Sequence, residues 1–247
     1  MAGMPATTIR FTCSAGLRSR QIATIPGFAE AGTGIAFFDT GTTMKSKMIA
    51  GLSVMTISCF APSLQAQDAQ HEVTAVKVCA TCHGPRGDSI SPAFPRLAGQ
   101  REEYLASQLK AFRDRTRADP MAQAYMWGMT SQLSDNSIEG LAAYYSHQKP
   151  PRGKAGDPKV VQAGRAIYEE GIPAAKIQAC VTCHGKNAEG NAAFPRLAGQ
   201  HAEYLVKQLV LFKGELRTDA SAPIMHNISS GMSFEQMEAV AAYLMSR

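Results

Sequence analysis

One pentapeptide pattern, C-x-x-C-H, constrains this chain more than any other feature. It occurs as Cys79-Ala80-Thr81-Cys82-His83 and again as Cys180-Val181-Thr182-Cys183-His184. The spacing has a chemical reading. Two thiols three positions apart on one turn of helix can each form a thioether with a vinyl group of the same porphyrin, and the imidazole that follows projects at the iron. A lone C-x-x-C is a weak signal. Two copies with a trailing histidine, at matching places in two similar halves, specify two covalently attached haem c groups. Cys79, Cys82, Cys180 and Cys183 are the attachment points, and His83 and His184 the proximal ligands.

The halves repeat well beyond the motif. Phe94-Pro95-Arg96-Leu97-Ala98-Gly99-Gln100 recurs letter for letter at 194–200, Tyr104, Gln108, Leu109 and Phe112 recur as Tyr204, Gln208, Leu209 and Phe212, and Ala142-Ala143-Tyr144 recurs as Ala241-Ala242-Tyr243. The offset drifts from 101 at the cysteines to 100 at the seven-residue block and 99 near the chain ends, which two single-residue deletions explain. Residues 148–158 are rich in Pro, Gly and charge and read as a linker. The expected layout is a first domain at 67–147 and a second at 159–247.

Each half reads as helices joined by loops. Lys159–Gly171 carries an apolar face behind Pro158. Leu105, Leu109 and Phe112, and their counterparts Leu205, Leu209 and Phe212, follow i, i+4, i+7 spacing. Ser134 and Ser233 suit the N-caps of the last helices, and Gln236 three residues after Ser233 completes a capping box. No alternating run supports a strand, so the class is all-α. Domains this small bury limited apolar area, so the haem has to be part of each core.

The repeat also selects the sixth ligand. His and Met are the usual choices, and a true ligand has a counterpart in the other half. Of the methionines and the histidines outside the motifs, only Met126 and Met225 pair, at the 99-residue offset. Met129, Met237 and Met245 read as core filler. Pro95 and Pro195 follow their motif histidines by twelve and eleven positions. Each is either an ordinary loop proline or the carbonyl that accepts the Nδ1 proton of His83 or His184. Arg96 and Arg196 are either propionate partners or solvated surface. Tyr104 and Tyr204 read as polar-tipped core residues, and Trp127 as packing.

At the N-terminus, Met44-Lys45-Ser46-Lys47 is a basic start. An apolar run to about Phe60 and the small residue Ala66 follow, as in a cleaved secretory signal over 44–66. Residues 1–43 carry no pattern, and translation is expected to begin at Met44. The leader takes Cys13 and Cys59 with it, leaving no cysteine for a disulfide. The formal charge is +5, of which residues 1–66 supply +3. No basic patch with interleaved aromatics appears, which argues against nucleic acid.

C-x-x-C-H, the duplicated FPRLAGQ block, the Tyr-x-x-x-Gln-Leu helix and the Met-then-Leu-Ser-Asp segment together resemble the cytochrome c4 family over roughly Gln67–Arg247. The resemblance implies two tandem class I cytochrome c folds with His83/Met126 and His184/Met225 ligation and Pro95 and Pro195 behind the histidines. It also implies a periplasmic carrier, soluble or loosely membrane-held, that feeds a terminal oxidase. Many such domains carry Gly where the first helix crosses the last. Gly164 fits this in the second half, whereas Thr74 stands near the equivalent place in the first. Irons closed on both sides by protein ligands leave no place for substrate, so the chain reads as an electron carrier and not an enzyme. The alternative is a di-haem subunit of a larger redox enzyme such as a flavoprotein dehydrogenase. A di-haem peroxidase needs an opening sixth position. A thiol oxidoreductase needs a βαβ context, and a zinc module needs closer C-x-x-C pairs.

Overall fold

The computed structural model describes Gln70 and residues 73–247, and the expected leader with Cys13 and Cys59 lies outside those residues. The described residues contain helices and two isolated β-bridges, with no strand among them. In the first half a π-helical turn, Ala75–Cys79, runs into α1, Ala80–His83. Then come α2, Glu102–Arg113, a second π-helical turn, Ala122–Met126, the short α3, Trp127–Thr130, and α4, Asp135–Ser146. The second half holds α5, Pro158–Glu170, α6, Val181–His184, α7, Ala202–Lys213, α8, Ala222–Ser230, and α9, Phe234–Ser246.

Local chemistry starts these helices where the pattern placed them. The Ser134 hydroxyl accepts from Ser137 N at 3.1 Å. Ser233 and Gln236 form the reciprocal capping box, at 3.2 and 2.8 Å. For α5 the cap is Asp157, whose carboxylate accepts from Lys159 N at 2.8 Å, with Pro158 in the first turn, where its missing N–H costs nothing.

Packing follows the apolar faces. α2 lies against α4, burying Leu105, Leu141, Ala142 and Tyr145. In the second half α5 and α7 both pack on α9, around Tyr168, Leu205, Met237, Val240 and Tyr243. The α5–α9 crossing depends on Gly164, because a Cβ there would fall 1.9 Å from the Ala239 carbonyl oxygen. Backbone approaches backbone at that point, and only glycine leaves the space. Met237 is core, as expected, but Met129 is 60% exposed on the rim of the site described next, which overturns its reading as filler.

The FPRLAGQ block serves both halves in the same way. Leu97 N and Ala98 N donate to Gly87 O, and Gly99 N donates to Tyr145 O at 2.9 Å, tying the loop to α4. Gly99 takes φ +65 and Gly199 φ +74, in the left-handed region where glycine is unstrained.

Candidate functional site

A cavity of about 800 Å³ opens beside α1 and α6, toward the upper end of the range for ligand pockets. Every site residue read from the sequence lines it: Cys79, Cys82, His83, Pro95 and Met126 from the first half, and Cys180, Cys183, His184, Pro195 and Met225 from the second. Most of the remaining lining is apolar, including Leu105, Leu109, Phe112, Leu205, Leu209 and Phe212. The helical stripes that resemble core positions therefore line this cavity.

Both imidazoles are buried and held from behind. His83 Nδ1 donates to Pro95 O at 2.9 Å, and His184 Nδ1 donates to Pro195 O at 3.0 Å. A carbonyl can only accept, so Nδ1 carries the proton and Nε2 is left as the basic nitrogen. Burial lowers the pKa of both rings, opposed by the proline carbonyls, which keeps the imidazoles neutral and suited to a metal. The sixth-position candidates are also matched: Met126 O accepts from Thr130 Oγ1 at 2.8 Å and Met225 O from Ser229 Oγ at 2.7 Å, with Thr130 and Ser229 buried.

The first cysteine of each pair is a poor thiolate. Burial raises the pKa of Cys79 and pushes Cys180 up to about 11. A redox or zinc-binding thiol has its pKa lowered instead, and the described residues hold no cluster of three His, Cys, Asp or Glu able to bind a metal ion. A thioether carries no charge and tolerates such a site. The buried Arg196 Nε, on the cavity wall, has no protein partner, which suits an anionic edge such as a haem propionate.

Between the halves lies a polar layer that the repeat did not announce. Gln100 Oε1 accepts from Arg196 N at 2.6 Å and its Nε2 donates to Arg196 O at 2.9 Å. Gln200 makes the same pair of bonds to Arg96, at 2.9 and 2.9 Å. Deeper in, Arg117 and Arg217 are buried, each paired with its own Asp119 or Asp219 at 2.9 and 2.8 Å. Each guanidinium also donates to both glutamines, Gln108 and Gln208, and lies 4.6 Å from the ring centre of Phe112 or Phe212. Tyr104 OH accepts from Arg217 at 3.1 Å, so this tyrosine is an interface residue and not simply core.

Trp127 does more than pack: its Nε1 donates to Arg117 O at 2.8 Å. His226, its counterpart, donates from Nε2 to Arg217 O at 2.7 Å. The repeat hid this role because different residue types fill it. Arg96 is half-buried on the cavity wall and tied to protein. It crosses to the Gly199 carbonyl and also donates to Ser89 O.

The cytochrome c family model matches residues 72–149 and 161–247, once in each half. Cytochrome c4 from Azotobacter vinelandii is 42% identical over 175 residues, covering 68% of this chain and 83% of that protein. The crystal structure of reduced recombinant cytochrome c4 from Pseudomonas stutzeri superposes with a TM-score of 0.64 at 37% identity, covering 75% of this chain and 99% of that one. The chain belongs to the cytochrome c4 family. It is a di-haem electron-transfer cytochrome, a carrier and not an enzyme, and its cofactors are covalently bound haem c groups. A further relative, named thiosulfate dehydrogenase electron acceptor, from Thiomonas intermedia, is 38% identical over 175 residues, covering 67% of this chain and 76% of that protein.

Proposed function

We propose that this cytochrome is a periplasmic carrier, exported by a cleaved signal over 44–66, that passes single electrons from a respiratory donor to a terminal oxidase. In this reading 67–147 and 159–247 each hold one haem through Cys79/Cys82 and Cys180/Cys183. His83 with Met126, and His184 with Met225, would hold the two irons. The carrying observation is the duplicated histidine clamp, with Nδ1 of His83 on Pro95 O and Nδ1 of His184 on Pro195 O.

When bound, the haem iron supplies a one-electron couple. The chain's residues do the rest. The proline carbonyls orient the imidazoles and raise their basicity. Met126 and Met225 would supply a thioether to each iron, a ligand that favours the reduced state and raises the potential. The apolar wall excludes water, and the small contact typical of redox encounters lets a partner leave quickly.

Reduced-minus-oxidised spectra with haem quantitation test the reading. Two haems per chain are expected, with the weak far-red band of Met–ferric ligation. Met126→Ala and Met225→Ala should each remove about half of that band, and an unchanged band in either variant would refute that assignment. The Thiomonas relative supports a second reading, in which the electron donor is a dehydrogenase that binds this cytochrome as acceptor or subunit. A stable co-purifying dehydrogenase would favour it over the oxidase-linked carrier.

A further inference from the structure

The two halves differ along the rim of their shared cavity. In the first half the His83 and Phe94 rings meet edge-on at 6.2 Å, and Phe94 meets Tyr125 edge-on at 6.3 Å. Both spacings lie within the range of favourable aromatic pairs. Tyr125 is 51% exposed and sits directly before Met126 on the π-helical turn. The three rings form a packed line from the buried imidazole to the surface. In the second half the line stops early. His184 and Phe194 meet at 6.3 Å, but Ile224 stands where the repeat places Tyr125.

The surroundings differ in the same sense. Val78 and Met129 also line the first half of the cavity and are 48% and 60% exposed. Their counterparts by the repeat are Ala179 and the half-buried Ile228. The charged residues lining the first half are Arg96, Arg117 and Asp119. The last two are buried, and Arg96 is turned onto the carbonyls of Gly199 and Ser89. The second half adds Lys207, at the position of Ser107. Both rims expose apolar side chains, since Ile224 is 53% and Phe194 37% exposed, but only the first carries an exposed aromatic ring in line with its imidazole, and only the second lines the cavity with an ammonium.

We propose that electrons cross between this cytochrome and its redox partner at the first half, through a contact centred on Tyr125. The partner is a metalloprotein that presents an uncharged apolar face over its own one-electron centre. The charges that line this half of the cavity are buried or hydrogen-bonded to protein, so an apolar face on the partner meets little there that is costly to desolvate. In the exchange one electron leaves the ferrous iron held by the first half and reduces the partner's metal by one unit, with no proton moved and no bond made or broken. The second half is then filled or emptied from inside the molecule. This inference rests on the carrier reading above.

The test uses the di-haem holoprotein and azurin, a blue-copper protein, as oxidant. Stopped-flow oxidation of the reduced cytochrome by Cu(II) azurin gives a second-order rate constant. Tyr125→Ile, which installs the second half's residue, should lower it about tenfold, within the span that association rates cover among variants of one interface. Both midpoint potentials should stay unchanged. Phe234→Ser, at a 54% exposed apolar residue outside the cavity lining, should have no effect. Zinc-substituted azurin, which cannot exchange electrons, should broaden the Tyr125 ring resonances before any aromatic resonance of the second half. A rate unaffected by Tyr125→Ile, or lowered as much by Ile224→Ala, overturns the proposal. So does concentration-dependent broadening of Tyr125 without azurin, which would assign the face to a second copy of this chain. A wild-type protein that exchanges electrons neither with azurin nor with hexacyanoferrate(III) would instead sink the carrier reading.

Discussion

Gln100 holds the backbone of Arg196 at both ends, accepting from its N–H at 2.6 Å and donating to its carbonyl at 2.9 Å. Gln200 does the same for Arg96. This reciprocity explains why seven residues are identical in the two halves. Each block clamps its own histidine through a proline carbonyl and docks on the other copy of itself. A change in one block leaves polar groups unsatisfied in both domains, which is a tighter constraint than either fold alone imposes.

Replacing Gln100 with Leu should therefore loosen the contact between the halves more than it disturbs either one. The variant strands the Arg196 N–H and carbonyl in a part-buried layer, at a cost of about 1–3 kcal/mol. Faster proteolysis within 148–158, with the spectra of both haems retained, is the expected result. Protection equal to that of wild type would show that the clasp contributes little.

Gly164→Ala should destabilise the second half. The added methyl would meet the Ala239 carbonyl at 1.9 Å, so α5 has to move off α9. Overpacking of this kind costs about 1–3 kcal/mol or more. Gly214→Ala is the comparison, since its Cβ would find no atom nearer than 3.4 Å and its φ is not positive. Thermal unfolding of the two holoproteins should show a clear loss for the first and little change for the second.

Stability should fall in mild acid because of His201. This ring is buried, and its Nε2 donates to Ser89 O across the interface at 2.9 Å. Burial, then the Arg96 guanidinium, lower its pKa below the ordinary 6.5, opposed by the Ser89 hydrogen bond and Glu203 and assisted by Lys154. Below about pH 6.5 the unfolded chain then binds more protons than the folded one. The contribution is whole above that pH and is lost as the pH drops. Urea midpoints at about pH 7.5 and pH 5.5 should differ less in His201→Gln than in wild type.

Without haem the fold should fail. A Cys79→Ser/Cys82→Ser variant leaves the first half with an apolar hollow that side chains cannot fill, around a core centred on Leu105, Leu141, Ala142 and Tyr145. Cofactor binding energy is folding energy in such small domains. Circular dichroism should show lost helix and no cooperative transition for that half, while the second haem keeps its spectrum. Full helicity in the variant would contradict the view that haem is core.

Much of this was legible in the residues alone. C-x-x-C-H is a local chemical requirement, and so are serine caps and i, i+4 stripes, so each can be read from a few adjacent letters. The duplication then allowed Met126 and Met225 to be singled out by elimination. The stripes do not say what they face: Leu109 and Phe112 line the cavity, because haem and side chains present the same apolar demand to a helix. Asp157 was missed as a cap because its linker context masked it.

What sequence by itself determined is the cofactor, the duplication and the helical class, since thioether spacing, repetition and helical periodicity are properties of neighbours along the chain. Tertiary structure decided the rest. The Gln100–Arg196 and Gln200–Arg96 clasps join residues 96 and 104 positions apart. The burial of Arg117 and Arg217 with their aspartates, and the shared duty of Trp127 and His226, depend likewise on which surfaces meet. The physical reason is that a hydrogen-bond donor or a charge is specified by its partner, and these partners are contributed by parts of the chain that only folding brings together.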